Sequence, residues 1–381
     1  MLYVGLDVHM SQSSLCILNQ AGQTVNRRTI KGAGNAVIAE LKALTEPFSL
    51  CYEASCGYGY LYDHIRPLAV HVAVAHPGKL RLIYRSKRKN DRFDAGKLAK
   101  LLLLEMVPQV YVPKLDVRNW RSLILWRQRL VDKAVICKNQ IRAALRECGI
   151  ASAAKKSLWT RASVAWLSSQ ELGVAGTLKV QMALDELLMH NKRINQVTRE
   201  LRKIADAHPG VALLRTIPGV GAHTAQAFCA WVDDPARFAR NKQIGAYFGL
   251  VPCQDASAGK NRLGHITREG PAVMRKLLTE ATWVAVARDA HFKMFFERVM
   301  GQKPDRKKIA LVATAHHLCR VMLSMLQTGE PYRKEERKCG RGEGNPIRPQ
   351  AVPSAPPTPT PPPSDFPSSL PADARGHGGV A

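Results

Sequence analysis

The chain has 381 residues and a formal net charge of +26, from 56 Lys plus Arg against 30 Asp plus Glu, with a pI near 10.0. That length allows two or three domains with real cores. So large an excess of one sign costs self-repulsion in the compact state, which points to a polyanionic partner: nucleic acid first, an anionic membrane second. The most apolar stretch, "IALVATAHHLCRVMLSML" from Ile309, carries two histidines and an arginine and reads as a buried helix rather than a membrane span. "MLYVGLDVHM" lacks the basic-then-apolar order of a signal peptide. Nine cysteines, an odd count without a C-x-x-C pair or matching histidine spacing, suit reduced thiols of a cytoplasmic protein and give no expectation of a zinc site.

Residues 1–112 alternate strands and helices. "LYVGLDVHM" is apolar and β-prone, and "SSLCILNQAGQTVNRRTI" continues as a hairpin turning at Ala-Gly. "GNAVIAELKALT" has helical spacing, "FSLCYEAS" is a strand, "GYLYDHIRPL" a helix and "VHVAVAHP" a strand, and the stretch after Asn90 is helical again. Such alternation around an opening hairpin implies a mixed α/β sheet. Residues 113–208 are almost wholly helical. "LDVRNWRSLILWRQRLVDKAVICKNQIRAALRECG" carries apolar residues at three- and four-residue steps and ends at Gly149, and "KVQMALDELLMHNKRINQVTRELRKIADAHPG" repeats the pattern and stops before Pro209. Two helices of this length suit an antiparallel arm or a dimerisation coil.

Residues 209–335 open with "LLRTIPGVGAHTAQAFCAWV", pass through a glycine-rich loop, "GLVPCQDASAGKNRLGHITREGP", and return to helix. The segment 340–381 differs in kind: 11 of the 23 prolines fall between Pro346 and Pro371, and large apolar residues are too few to bury. It is expected to be disordered and partly polyproline. From Asn345 onward Arg348 and Arg375 balance Asp365 and Asp373, so the basic surplus belongs to the part expected to fold.

Four acids stand out. Asp7 lies within the apolar run "YVGLDVH", where a charge is costly unless it meets a cation or the strand's end. Glu53 stands likewise in "LCYEAS", before a glycine-containing turn. Asp91 and Asp94, three apart in "KNDRFDAGKLA", share one face of a helix's first turn. Asp91, like Asn90, would also serve as a helix cap, and acids at a first turn are favoured by the helix dipole. Hard oxygen donors of this kind suit Mg²⁺ or Mn²⁺, and Lys87, Arg88, Lys89 and Arg92 beside them suit phosphate.

The order "GLDVH", "YEASCGYG", "KNDRFDAGKLA" resembles the N-terminal domain of the DEDD insertion-sequence transposases, the family that includes the pilin-gene invertase Piv and the bridge-RNA-guided recombinases. The resemblance implies a RuvC-like, ribonuclease H-type domain whose four metal-binding acids map to Asp7, Glu53, Asp91 and Asp94. Its second half lies in "GAYFGLVPCQDASAGKNRLGHITREG", which is similar to the family's C-terminal domain, where a serine in a small-residue loop is the nucleophile. Ser257 is the one serine in that stretch. The family commonly has a second serine and two glycines here; this chain has Ala256, Ala258 and Gly259 around Ser257. Lys260, Arg262 and Arg268 are placed to hold a phosphate. "TIPGVGAHTA" carries a helix-hairpin-helix signature, and Gly219 and Gly221 are candidates for backbone contacts to DNA, or form a plain tight turn.

The resemblance runs from Tyr3 to about Tyr332. It implies an α/β plus α protein with a long coiled-coil arm, and a site-specific recombinase that works as a dimer or tetramer on donor and target DNA. A structured non-coding RNA would pair with both DNAs, and cleavage would pass through a covalent phosphoserine. Two other readings stay open on residues alone: a RuvC-like nuclease using water on branched DNA, for which Ser257 is idle, and a nucleic-acid-binding protein without catalysis.

Overall fold

The structure, a computed structural model, describes residues 1–32, 34–55, 57–83, 91–150, 157–257 and 260–333, with backbone alone at 91–93, 256, 257, 260 and 261. The segment 340–381, the basic residues Lys87, Arg88 and Lys89, the cap candidate Asn90, and Ala258 and Gly259 fall outside the described residues.

β1 (Leu2–Val8), β2 (Gln12–Leu18) and β3 (Thr24–Lys31) form a meander, β1 and β2 apolar and largely buried and β3 mostly exposed, and the Ala-Gly turn closes between β2 and β3 with Gly22 at φ 76°. After α1 (Asn35–Lys42) comes β4 (Phe48–Glu53), then α2 (Tyr58–Ile65) and β5 (His71–Ala75). The five strands form one sheet in the order β3-β2-β1-β4-β5. β1, β2 and β3 pair antiparallel, and β4 and β5 add in parallel beside β1. This is the mixed sheet expected, and it is consistent with a RuvC-like unit. The edge strand β3 exposes Arg27, Arg28 and Lys31, charges that discourage a further strand from pairing.

Each face of the sheet has its own cover. Val4, Leu6, Leu50, Tyr52, Val72 and Val74 pack under Val37, Ile38 and Leu41 of α1 and Leu61 and Ile65 of α2. The other face carries Cys16, Leu18, Cys51, Ala73 and Ala75. A short helix, α3 (Pro77–Ile83), which periodicity did not announce, follows β5, and α4 (Asp91–Leu103) lies on that second face through Ala95, Leu98, Ala99 and Leu102. Gly5 makes the approach possible: a Cβ there would stand 2.0 Å from the Ala95 carbonyl oxygen and 2.5 Å from the Ala99 nitrogen.

The long helices are α5 (Leu115–Glu147) and α7 (Gly173–Asp206), each about 50 Å long. They run antiparallel, tied by Arg127 to Thr198 at 2.9 Å and by Lys179 to Glu147 at 2.9 Å. A second short helix absent from the expectation, α6 (Arg161–Ser168), is capped by Thr160 and packs Leu167 into the core between them. The base of the pair merges with the C-terminal half: Trp120, Ile124, Leu201 and Ala205 sit in that half's core.

The C-terminal half comprises α8 (Pro209–Leu214), α9 (Ala222–Val232), α10 (Gln243–Tyr247), β6 (Pro252–Ser257), β7 (Lys260–Ile266), α11 (Ala272–Arg288), α12 (Ala290–Met300) and α13 (Lys307–Thr328). The expected glycine-rich loop is instead a β-hairpin, β6 pairing antiparallel with β7 in a two-stranded sheet of its own. Its polar, small residues carry little β-propensity, so backbone pairing rather than side-chain pattern makes the strands. α13 is apolar and long enough to cross a membrane, yet Leu311, Ala315, Leu318, Cys319 and Met322 are buried in the protein. The described cysteines are all free thiols, five of them buried and Cys148 and Cys253 exposed.

Gly5→Val would force α4 off the sheet. It should lower unfolding free energy by about 3 kcal/mol, measured by urea denaturation followed by circular dichroism.

Candidate active site

β1 and β4 are parallel neighbours in register, Gly5 opposite Cys51 and Leu6 opposite Tyr52. Asp7 and Glu53 each follow that last pair, so they stand side by side at the carboxyl ends of the two strands. Side chains alternate across a strand. Gly5 and Cys51 face α4, so Asp7 and Glu53, each two residues further, face α4 too. The helix runs against β1: Gly5 lies between Ala95 and Ala99, and Leu103, at the other end of α4, lies by Gly22 in the turn after β2, beside the start of β1. The end of β1 that carries Asp7 therefore meets the first turns of α4, which carry Asp91 and Asp94.

The backbone thus gathers the elements of all four acids at one end of the sheet. Asp7 is opposite Ser14 of β2, with its side chain 15 % exposed and its Oδ2 3.3 Å from His9 Nε2. Asp94 Oδ1 accepts a hydrogen bond from Lys97 Nζ at 2.7 Å, one helical turn on. Glu53 is half-buried at the strand's last position. Asp91 and Arg92 open α4, with backbone alone described. Carboxylates are hard-oxygen donors of the kind that suits a small divalent cation, and the structure brings these strand ends and the start of the facing helix to one end of the sheet.

Ser257 belongs to a different sheet. It is the last residue of β6, paired with Lys260, the first of β7, so it stands at the hairpin's tip. The hairpin's root is tightly packed. A Cβ on Gly249 would fall 2.1 Å from the Glu269 carbonyl oxygen, and one on Gly270 would fall 2.1 Å from that of Tyr247. Across this crossing Arg275 Nη1 donates to the carbonyls of Phe248, Glu269 and Gly270 at 3.2, 2.9 and 3.1 Å. Arg262 and Arg268 are exposed, Arg268 with φ 56°. Burial and the neighbouring Arg268 charge lower the Arg275 pKa. Sequence reasoning passed over Arg275, whose place beside the glycine pair is visible only once the hairpin folds.

The two hairpin-motif glycines have different surroundings. Gly219, at φ 98°, packs on α11, where a Cβ would lie 2.6 Å from the Ala285 nitrogen. A Cβ on Gly221 would meet open space, and Gly221 directly precedes α9. His223, in the first turn of that helix, accepts at Nδ1 a hydrogen bond from Gln226 Nε2 at 3.0 Å. Burial, with the charge of Arg127 second, pushes its pKa down to about 4.

A mixed sheet of five strands with acids at its central parallel strand ends, joined to a basic and mainly helical half, defines the class: an α/β plus α protein with a RuvC-like sheet. Residues 4–150 match the model of a transposase family of DEDD, IS110 type, and residues 211–297 match that of the Transposase IS116/IS110/IS902 family. The chain is 26 % identical over 336 residues to the transposase for insertion sequence element IS1111A of Coxiella burnetii, covering 87 % of this chain and 91 % of the relative. It is 25 % identical over 338 residues to the transposase for IS1328 of Yersinia enterocolitica, covering 87 % and 98 %. With the pilin gene-inverting protein of Moraxella lacunata it shares 25 % identity over 165 residues, 42 % of this chain and 51 % of the relative. The chain belongs to the IS116/IS110/IS902 family of insertion-sequence transposases, and it is an enzyme that acts on DNA.

His223 and His317 both have pKa values pushed down to about 4, by burial first and by neighbouring charges second. Free histidine titrates near about 6.5, so the unfolded chain takes up protons that the folded chain refuses. Their contribution to stability is complete above pH 6.5 and is lost as pH falls toward 4. The urea midpoint should fall over that interval, and His223→Gln should make the fall shallower while leaving the part due to His317.

Proposed function

We propose that this transposase is a site-specific recombinase which cleaves and rejoins DNA through a covalent phosphoserine, its acids acting with Mg²⁺ or Mn²⁺. The observation that carries the reading is the meeting of Asp7, Glu53 and the first turns of α4 at one end of the sheet. Family membership supports use of a divalent metal. Asp7, Glu53, Asp91 and Asp94 would hold it; when bound, it supplies charge stabilisation at a scissile phosphate. Lys97 holds the Asp94 carboxylate and His9 stands against Asp7, so the acids are oriented before DNA arrives.

Ser257 supplies the nucleophile. Its oxygen forms a bond to phosphorus as the bond to the leaving deoxyribose oxygen breaks, the serine proton passes to solvent, and the leaving oxygen takes one up. Attack by the hydroxyl of the second DNA reverses the exchange and frees the serine. Lys260, Arg262 and Arg268 hold the phosphate, with Lys87, Arg88, Lys89 and Arg92 beside the acids, and the backbone at Gly219 and Gly221 adds contacts without reading bases.

The division of labour follows the chain: metal domain to residue 112, coiled-coil arm to 208, and serine domain with its helix-hairpin-helix to 335. A structured non-coding RNA would choose donor and target by pairing, which suits a protein whose charge is general rather than base-specific. A dimer or tetramer is supported by Val174, Leu178, Met182 and Met189, exposed at four-, four- and seven-residue steps along α7.

The test is a denaturing gel of protein mixed with its element RNA, labelled donor and target DNA, and Mg²⁺. An adduct present in wild type, absent in Ser257→Ala and reduced at least roughly 100-fold in Asp94→Asn is the expected result, with DNA binding by Asp94→Asn intact or tighter. Cleavage without adduct, unaffected by Ser257→Ala, would replace this reading with hydrolysis by water.

A further inference from the structure

The midpoint of the arm brings together three donors that sequence spacing did not. Cys137 lies on α5, and Glu186 and His190 lie four apart on α7; their ligand atoms are all within 4.8 Å of one another. Cys137 and His190 are buried, His190 with 6 % of its surface exposed, while Glu186 is at the rim. The Cys137 thiol donates to Glu186 Oε2 at 3.5 Å. Tetrahedral donors at zinc bond lengths of about 2.0–2.3 Å lie roughly 3.3–3.7 Å apart, so this separation is already that of a coordination edge.

The histidine supplies the second observation. Its Nδ1 is buried and has no hydrogen-bond partner. Leaving a buried polar atom without a hydrogen-bond partner is unfavourable, because it gives up its bond to water and gains none in return. A histidine on a helix's core face needs no ligand when its ring is satisfied; this ring is not. The bond from Cys137 accounts for the thiol and leaves the imidazole unexplained.

We propose that Cys137, Glu186 and His190 form a transition-metal site of the zinc class, clipping α5 to α7 midway along the arm. One thiolate, one imidazole and one carboxylate select a borderline ion such as Zn²⁺ or Co²⁺ over Mg²⁺, which avoids sulfur. Binding expels the Cys137 thiol proton to solvent. The fourth position opens to water along the cleft that Glu186 lines with Gln140, Glu147 and Lys179. The metal fixes the register of the two helices and is separate from the acids of the sheet.

The test uses the full chain, stripped with chelator and titrated with Co²⁺. A sulfur-to-cobalt charge-transfer band saturating at one ion per chain, unmoved by excess Mg²⁺ and intact in Asp94→Asn, is expected. Cys137→Ser should abolish the band, and Glu186→Gln and His190→Gln should weaken binding at least roughly 100-fold, with helical circular dichroism retained. Glu186→Gln, at an exposed position, keeps the test informative if either buried variant unfolds. No band in wild type, a band that persists in Cys137→Ser, or affinity unchanged in Glu186→Gln would overturn the site.

Discussion

The close approach of α4 to the central strand is the constraint on which the rest depends. It is a backbone-to-backbone contact: Gly5 has no side chain, Ala95 and Ala99 have the smallest ones, and the helix lies against the sheet with nothing between. Small residues on both surfaces let dispersion act over the whole contact, while any larger one would hold the helix away. The acids inherit their arrangement from this. Asp7 follows Gly5 by two residues on the same strand face, and Asp94 precedes Ala95, so the packing that brings Gly5 to Ala95 also brings the acidic ends together.

A second joint lies at the start of α5. Arg118 forms an ion pair with Asp63 of α2, its side chain mostly buried. Three residues on, Arg121 donates to the carbonyl oxygens of Ala230 and Trp231 at 2.7 and 3.1 Å, closing the end of α9. Tyr111 adds a hydrogen bond to Asp233 at 2.6 Å under the Arg237 guanidinium. One helical turn therefore reaches both the sheet unit and the C-terminal core. Arginine suits the place because it carries several donors on one planar group and stays charged when partly buried.

Much of this was legible in the residues because the signals were local. The apolar, β-prone run of β1, the Ala-Gly turn, the long amphipathic runs of α5 and α7, and their ends at Gly149 and before Pro209 all rest on near-neighbour patterns. The acids were legible as anomalies, charges in strands where none is routine. What escaped depended on distant partners. α3 buries none of its residues and so carries no apolar stripe, α6 is set by packing Leu167 between α5 and α7, and β6 and β7 are strands by virtue of pairing with each other. The thiol of Cys137 and the imidazole of His190 are 53 positions apart in number and meet only because α5 and α7 fold back. The one available hint was local, Glu186 and His190 at a helical step, and it carries little weight without the cysteine.

The hairpin that bears Ser257 has a tightly packed root and strands of six and seven residues. At about 3.4 Å per residue, the six residues of β6 alone span roughly 20 Å. That is the width of a DNA duplex. A side chain carried at such a distance works outside the globule that anchors it, like a finger stiff at the knuckle. The crossing of Gly249 and Gly270 therefore governs reach as well as stability, because a few degrees of change at the root become ångströms at the tip.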